Sequence, residues 1–464
     1  MKRFLPHILI LLTAAVVLTS CFKDDESTSD YDGQSLITAA TLGTLTRDIY
    51  YVNNNGRDTM VTRSVNGALY PLTIDQINHR IYNAELLPAH THTDKVVLSA
   101  LTAQGTVAIK DDEKDHDYAW EHTDSTDFTQ PRTLTVYGLD GTSRTSYTME
   151  VRVHQQLPDS MQWQSVSTTG LPADLLETRL LSRGDSILLW GTTAGEVWCY
   201  WTQRQNPTNW QGDRANNAPT PQSIIRHGGQ FLGMTDTNVV SSADGKTWTN
   251  VGLRTGSISS LIGSTTRNIY GLNATSFLRS TDEAHHFLSD ACDIPAAIPT
   301  QSISAVSYPT RSNHLVEEIL LAGNTTDGQT VVWKRNDMLR ADQEEVGNFQ
   351  WTLVESDSTN KYRVPHRENI NLATYDGATL MAATDDAHHL SLLMSYDNGR
   401  CWADTVVTAP APLTQEAQEV HKLAMTVDAD NYIWLLCNST LWRGRINRLG
   451  WVEDKQVFLK TRKR

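Results

Sequence analysis

One phrase recurs six times along the C-terminal two thirds of the chain, and its period constrains the fold more than any single motif does. A strand-forming run is followed by a second run, a polar turn, and an aromatic residue that opens another strand. Ser186-Ile187-Leu188-Leu189-Trp190-Gly191 leads through Val197-Trp198-Cys199-Tyr200-Trp201 to Trp210. Later copies pass from Gln230-Phe231-Leu232-Gly233-Met234 to Trp248, from Arg267-Asn268-Ile269-Tyr270-Gly271 to Phe287, and from Glu318-Ile319-Leu320-Leu321 to Trp351. The last two run from Ala378-Thr379-Leu380-Met381 to Trp402 and from Tyr432-Ile433-Trp434-Leu435-Leu436 to Trp451. Closing aromatics stand 38, 39, 64, 51 and 49 residues apart, which brackets one four-stranded propeller blade with a long excursion in the fourth. The expected fold class is therefore all-β, with a β-propeller over residues 157–464 of six blades, seven being the alternative. Trp163 opens one strand more. A strand from one terminus that completes a blade from the other closes the ring and removes exposed edges. A pair of non-repetitive β-sandwiches is the competing arrangement, and no amphipathic helical stretch of useful length competes with either.

Three of the turns share a pattern, S-x-D-x-G-x-x-aromatic. The fullest copy carries Ser395, Asp397, Gly399 and Trp402; looser ones carry Ser280, Asp282 and Phe287, and Ser242, Asp244, Gly245 and Trp248. The Asp carboxylate accepts backbone N–H groups of its own turn, Gly supplies a positive φ, and the aromatic anchors the next strand. The pattern resembles the Asp-box of sialidase-like β-propellers. In those proteins the box shapes a turn on the outer part of the blade, so the resemblance implies scaffold residues and no catalytic ones. The copies depart from the family pattern: Ala284 stands at the Gly position of the second, the first is one residue short, and His286 or Cys401 stands where Thr is usual.

The N-terminus reads as an address. Met1-Lys2-Arg3 is followed by an apolar run to Leu18 and by Thr19-Ser20-Cys21, a signal peptide too short for a membrane span. The L-T-S-C ending resembles a bacterial lipobox, which implies cleavage after residue 20 and lipid on Cys21. Residues 21–33 form an acidic tether that cannot bury apolar surface. Its Lys23, Asp24, Asp25 and Glu26 resemble the signal that exports some Gram-negative lipoproteins to the outer face of the outer membrane; a merely solvated linker is the other reading. The expected location is the outer membrane, lipid-anchored and facing the exterior.

Of thirteen tryptophans only Trp120 precedes residue 160, so the chain divides into two domains with different cores. Over residues 34–156, short strands such as Val96-Val97-Leu98 and Leu134-Thr135-Val136-Tyr137 alternate with polar turns. Tyr147, Met149, Val151 and Val153 alternate with Thr148, Glu150 and Arg152, the pattern of a half-buried strand. An immunoglobulin-like β-sandwich is expected here. The whole chain resembles two-domain surface lipoproteins of gut-type Gram-negative bacteria, whose propellers have no assigned role.

Few chemical signatures compete with a binding role. Beyond Cys21, the cysteines Cys199, Cys292, Cys401 and Cys437 form no zinc spacing, and their apolar neighbours favour free thiols over disulfides. A net charge of −14, near −16 once the leader's Lys2 and Arg3 are removed, argues against nucleic acid. His90, His92 and Asp94 are candidate metal ligands, as is the acidic run from Asp111 to Asp117, but exposed polar surface accounts for both. His285-His286 and His388-His389 sit near turns without ligand spacing. Tyr362-Arg363-Val364-Pro365 approximates the Phe/Tyr-Arg-Ile-Pro motif of sialidases, where an arginine grips the substrate carboxylate; it stands after four units rather than before the first. Trp201 and Trp210 are candidates for stacking on sugar rings, with blade core as the plainer role. No metal or cofactor is expected. The expected function is non-catalytic binding of a glycan or protein ligand, the other partner being the bilayer that takes the lipid. A glycan-processing enzyme with a diverged propeller site and an assembly component of an outer-membrane complex are the alternatives.

Overall fold

The computed structural model describes residues 33–447 except 53–56, 111–116, 254–257, 341–348, 356–358, 405–406 and 416–417. The expected signal peptide, Cys21, the Lys23 to Glu26 run, most of the acidic run from Asp111, and Trp451 lie outside the described residues. The chain divides between Pro158 and Asp159 into two compact units.

In the N-terminal unit, Ile37–Leu42 pairs antiparallel with Val96–Ala103, whose start also pairs with Ser125–Thr126. A second, six-stranded sheet runs in the order Leu72–Asp75, Arg80–Asn83, Arg144–Glu150, Arg132–Tyr137, Thr106–Lys110, Asp117–Ala119. Its Arg80–Asn83 strand lies parallel to Arg144–Glu150. The two sheets bury one core, with Ile37, Leu42, Val96 and Leu98 from the first against Ile81, Leu134, Val136 and Met149 from the second. Tyr147 is fully buried, and its hydroxyl donates to Gln76 Oε1 at 2.5 Å, which satisfies the one polar atom the aromatic brings inside.

The second unit is a propeller of six blades among the described residues. Blade 1 consists of Leu176–Arg183, Ser186–Thr193, Glu196–Gln203 and Gln211–Arg214. Blade 2 consists of Ile225–His227, Gln230–Met234, Asn238–Ser242 and Thr249–Leu253, and blade 3 of Ser260–Ser264, Ile269–Leu272, Phe277–Ser280 and Leu288–Asp290. Gln301–Pro309, Val316–Asn324, Thr330–Met338 and Thr352–Leu353 make blade 4. Blade 5 has Glu368–Tyr375, Ala378–Thr384 and Leu390–Ser395, its fourth position reduced to a bridge between Met394 and Ala403. Blade 6 joins Leu423–Val427, Ile433–Cys437 and Thr440–Ile446 to Met161–Val166 from the other end of the domain. The outer strand of the last blade therefore carries Trp163 and is the strand expected from the other terminus to close the ring. The ring gains most by this exchange, because the strand that closes it is held from both chain ends.

Six apolar clusters fill the six blade interfaces. Each second strand contributes to two of them: Leu320 and Ala322 face blade 5, while Ile319 and Leu321 face blade 3. Burial on both faces explains why these strands read as continuous apolar runs without alternation. Near the axis, small polar groups stitch first strands together. Ser182 N donates to Thr426 Oγ1, Ser264 Oγ to Arg226 O, Leu372 N to Ser304 Oγ, and Met425 N to Asn371 Oδ1, at 2.7–3.3 Å.

Blades 3 and 4 are fastened differently. Gly263 faces Ala305 there, and the junction is held by a buried charge network. Arg335 Nε donates to Asp290 Oδ2 at 2.7 Å, and its Nη1 donates to Tyr270 Oη at 2.9 Å. Asp337 Oδ2 accepts from Thr265, Asn268 and Tyr270.

Candidate functional site

The three box turns share one hydrogen-bond pattern. In the first, Ser242 Oγ donates to Asp244 Oδ1 and accepts from Gly245 N, while Lys246 N and Thr247 N donate to the same carboxylate. In the second, Ala284 N donates to Ser280 Oγ, and His286 N to Asp282 Oδ1. In the third, Gly399 N donates to Ser395 Oγ, and Cys401 N to Asp397 Oδ1. Burial pushes the Asp282 carboxyl up, but hydrogen bonds from His286 and Ser280 outweigh it and bring the group to about 2. Asp244 and Asp397 are lowered by the same balance. The degraded positions still fit. Ala284 takes φ +70°, at a cost of about 1 kcal/mol relative to Gly, and His286 Nδ1 reaches Asp282 Oδ2 at 2.6 Å.

The closing tryptophans are strapped in a recurring way. Their backbone amides donate to the connection that precedes each: Trp210 to Thr169, Trp248 to Asn216, Trp351 to Ala291, and Trp402 to Tyr362. Tyr362-Arg363-Val364-Pro365 is thus blade 5's copy of this strap, and exposed Arg363 edges an open outer cleft of about 950 Å³ with Gly328, Glu355 and His366. Trp210 is core at 3% exposure, and the Trp201 ring is covered by Lys246 Nζ, 3.4 Å from its centroid. His92 pairs with Asp48 at 2.9 Å and His90 packs edge-on against Tyr50, so these residues do not converge. Among the described residues, no group of three or more His, Cys, Asp or Glu is placed to hold a metal. Cys199, Cys292, Cys401 and Cys437 are free thiols, and burial pushes Cys199 and Cys437 up to about 12.

The residues that converge were not singled out by motif. In an antiparallel blade, the turn between strands one and two and the turn between strands three and four lie at the same end. At that end a cavity of about 600 Å³ opens between blades 4 and 5, within the range of small-ligand sites. Its walls are the Pro309 to Asn313 turn of blade 4, the Gly377 turn of blade 5, and Tyr396 and Asn398 of the third box. Arg311 reaches across from one turn to donate to the Gly377 carbonyl of the other. Gly377 has φ +72°, and a Cβ there would stand 2.7 Å from the Arg311 guanidinium, so this bridge needs a glycine.

Glu318 also lines the cavity and is only 3% exposed. Tyr308 Oη donates to Glu318 Oε1 at 2.8 Å, and Asn398 Nδ2 approaches Oε2 at 3.4 Å. Burial, and then the charge of Glu318, pushes the Tyr308 phenol well above its ordinary value. Strand alternation separates the neighbouring acids. Glu318 pairs in register with Asn336, which also lines the cavity, whereas Glu317 pairs with Asp337 on the blade 3 side. There Glu317 Oε2 accepts from Thr266 N at 2.7 Å. Glu318 is thus the single carboxylate among the described lining residues. A signal for the site does exist in the sequence: Glu317-Glu318 interrupts the otherwise apolar entry to a doubly buried strand, where a charge is costly without a purpose.

Residues 157–454 match the DUF6242 beta propeller domain, and residues 40–151 match the DUF6242 N-terminal domain, a domain of unknown function. The chain belongs to this family. No curated protein matches its sequence. Parts of several solved structures align with the chain at low identity. A streptogramin B lyase is 10% identical with a TM-score of 0.33, over 62% of this chain and 98% of that one. A Trypanosoma rangeli sialidase in complex with 2,3-difluorosialic acid is 9% identical with a TM-score of 0.34, over 64% and 55%. A Bacteroides ovatus xyloglucan-locus protein, GH43B, is 10% identical with a TM-score of 0.31, over 63% and 58%.

Proposed function

We propose that this protein is a non-catalytic glycan-binding lipoprotein of the cell envelope, with the cavity between blades 4 and 5 as its ligand site. The observation that carries the reading is one buried carboxylate at the wall of a preformed cavity that mixes apolar surface with several polar side chains. Glu318 accepts, Arg311 can donate, Asn313, Asn336 and Asn398 can donate to or accept from a polyhydroxylated ligand, and exposed Tyr396 offers a ring face. Glycoside hydrolysis ordinarily needs two carboxyl groups across the scissile bond, and the described lining supplies one. The Tyr308–Glu318 hydrogen bond also has the geometry of a base-activated nucleophile, which keeps a hydrolase as the second reading.

Glycan-array binding by the full chain separates the two. Saccharide capture that Glu318→Ala abolishes, with no release from fluorogenic glycosides, supports the binding module. Turnover lost on Tyr308→Phe would replace it with the enzyme. Lipid on Cys21 and an exterior location belong to the same proposal, as does the immunoglobulin-like character of the N-terminal domain. Cys21→Ser should release the protein from membranes, and protease should reach the wild-type protein on intact cells. Protection until lysis would count against surface display.

A further inference from the structure

We infer that the blade 4–5 cavity selects a saccharide bearing a free primary ammonium, an amino sugar, and seats that ammonium on Glu318. The inference rests on the reading of this cavity as a glycan site and specifies its chemistry.

A carboxylate taken out of water is costly unless it is paired. Three other buried carboxylates of the propeller have a cation within the fold, Arg335 lying 2.7 Å from Asp290 and 3.9 Å from Asp337, and Arg443 4.0 Å from Asp428, while the buried Glu317 takes the Thr266 backbone N–H at 2.7 Å on the blade 3 side, away from the cavity. Glu318 is as deeply buried as these, yet its partners are the neutral Tyr308 hydroxyl and the neutral Asn398 amide. The Arg311 guanidinium at the cavity rim is turned to the Gly377 carbonyl. The cavity therefore holds a negative charge whose counter-ion the fold does not supply.

The remaining acceptors fit an ammonium, which donates three hydrogen bonds and accepts none. A carboxylate offers about four acceptor sites, and the two neutral contacts leave capacity toward the cavity. Tyr308 has its proton committed to Glu318, so its oxygen faces a donor as an acceptor, a role in which Thr379 already takes one position. The Asn336 and Asn398 side chains each bring a carbonyl oxygen. An N-acetylated sugar replaces the charge by a neutral amide and adds bulk beside Glu318. It leaves Glu318 without a cation and is rejected for that reason.

The test is calorimetric titration of the full chain with β-1,4-linked glucosamine oligosaccharides and, separately, with their fully N-acetylated counterparts. The expected result is at least tenfold tighter binding of the free-amine series. Glu318→Gln, which keeps the shape of the side chain, should bring the two series within about threefold of each other. Equal affinity of both series for the wild type, or a preference that survives Glu318→Gln, overturns the inference while leaving a glycan site in place. No binding of either series overturns both readings. A lysine-containing peptide titrated in parallel identifies the other source of an ammonium: binding that needs Glu318, with no saccharide bound, keeps the charge pairing but refutes the amino sugar. Circular dichroism of Glu318→Gln separates lost binding from lost folding.

Discussion

The Trp402 amide donates to the Tyr362 carbonyl at 2.7 Å, so the stretch that most resembles a substrate-gripping arginine motif is a strap for a blade's outer aromatic. Its arginine takes no part in that bond. Arg363→Ala should leave saccharide affinity within about twofold and stability within about 0.5 kcal/mol, as for other exposed positions. Titration and urea unfolding check both. A large loss of binding would return the motif to a functional role.

Acid should weaken the propeller through its boxes. An unfolded aspartate titrates near ~3.9, whereas Asp282 in the fold sits at about 2, with Asp244 and Asp397 also lowered. Groups depressed in this way contribute stability that is present above the unfolded value and is lost as pH falls through the folded one. Asp282→Asn should therefore lower the urea midpoint at pH 5 and change it less at pH 2.5. Equal loss at both values would show that the charge of Asp282 is not what matters.

The blade 3–4 junction should be the most brittle point of the ring to a single truncation. Arg335→Ala leaves Asp337 buried without its cation and Asp290 with only the longer contact to Arg279 at 3.7 Å, a change expected to cost about 3–5 kcal/mol in equilibrium unfolding. Joint replacement of Arg335 and Asp290 by apolar residues of similar volume should cost less than Arg335→Ala alone. A double variant no more stable than the single one would refute a charge-pairing origin.

Thiol chemistry should sort the cysteines by depth. Burial raises the Cys199 and Cys437 thiols to about 12, so little reactive thiolate exists at pH 8. With Cys21→Ser, a thiol-disulfide reagent should label Cys292 and Cys401 in the native protein and all four cysteines in denaturant. Rapid native labelling of Cys199 would contradict the packing between blades 1 and 2.

Much of the ring was legible before any coordinates. The second strands of the blades announced themselves as unbroken apolar runs because both of their faces are buried. The boxes announced their turns because a positive φ and a short acceptor side chain are local requirements, met within a few residues. The strand of Trp163, expected to complete a blade from the other terminus, does so beside Thr440–Ile446, a pairing that ring closure specifies, while Trp451 lies outside the described residues.

By itself, then, the sequence determined the all-β class, the blade period and the place of each box, since these depend on periodicity and local backbone chemistry. Only the tertiary structure decided where a ligand could sit. Tyr308 and Glu318 are ten residues apart, and Asn398 is eighty residues further on. Their meeting depends on how blade 5 packs against blade 4, and on which of two adjacent glutamates strand alternation turns toward it. The third box is part of that cavity through Tyr396 and Asn398, the variable positions of the motif, while Asp397 holds the turn that presents them.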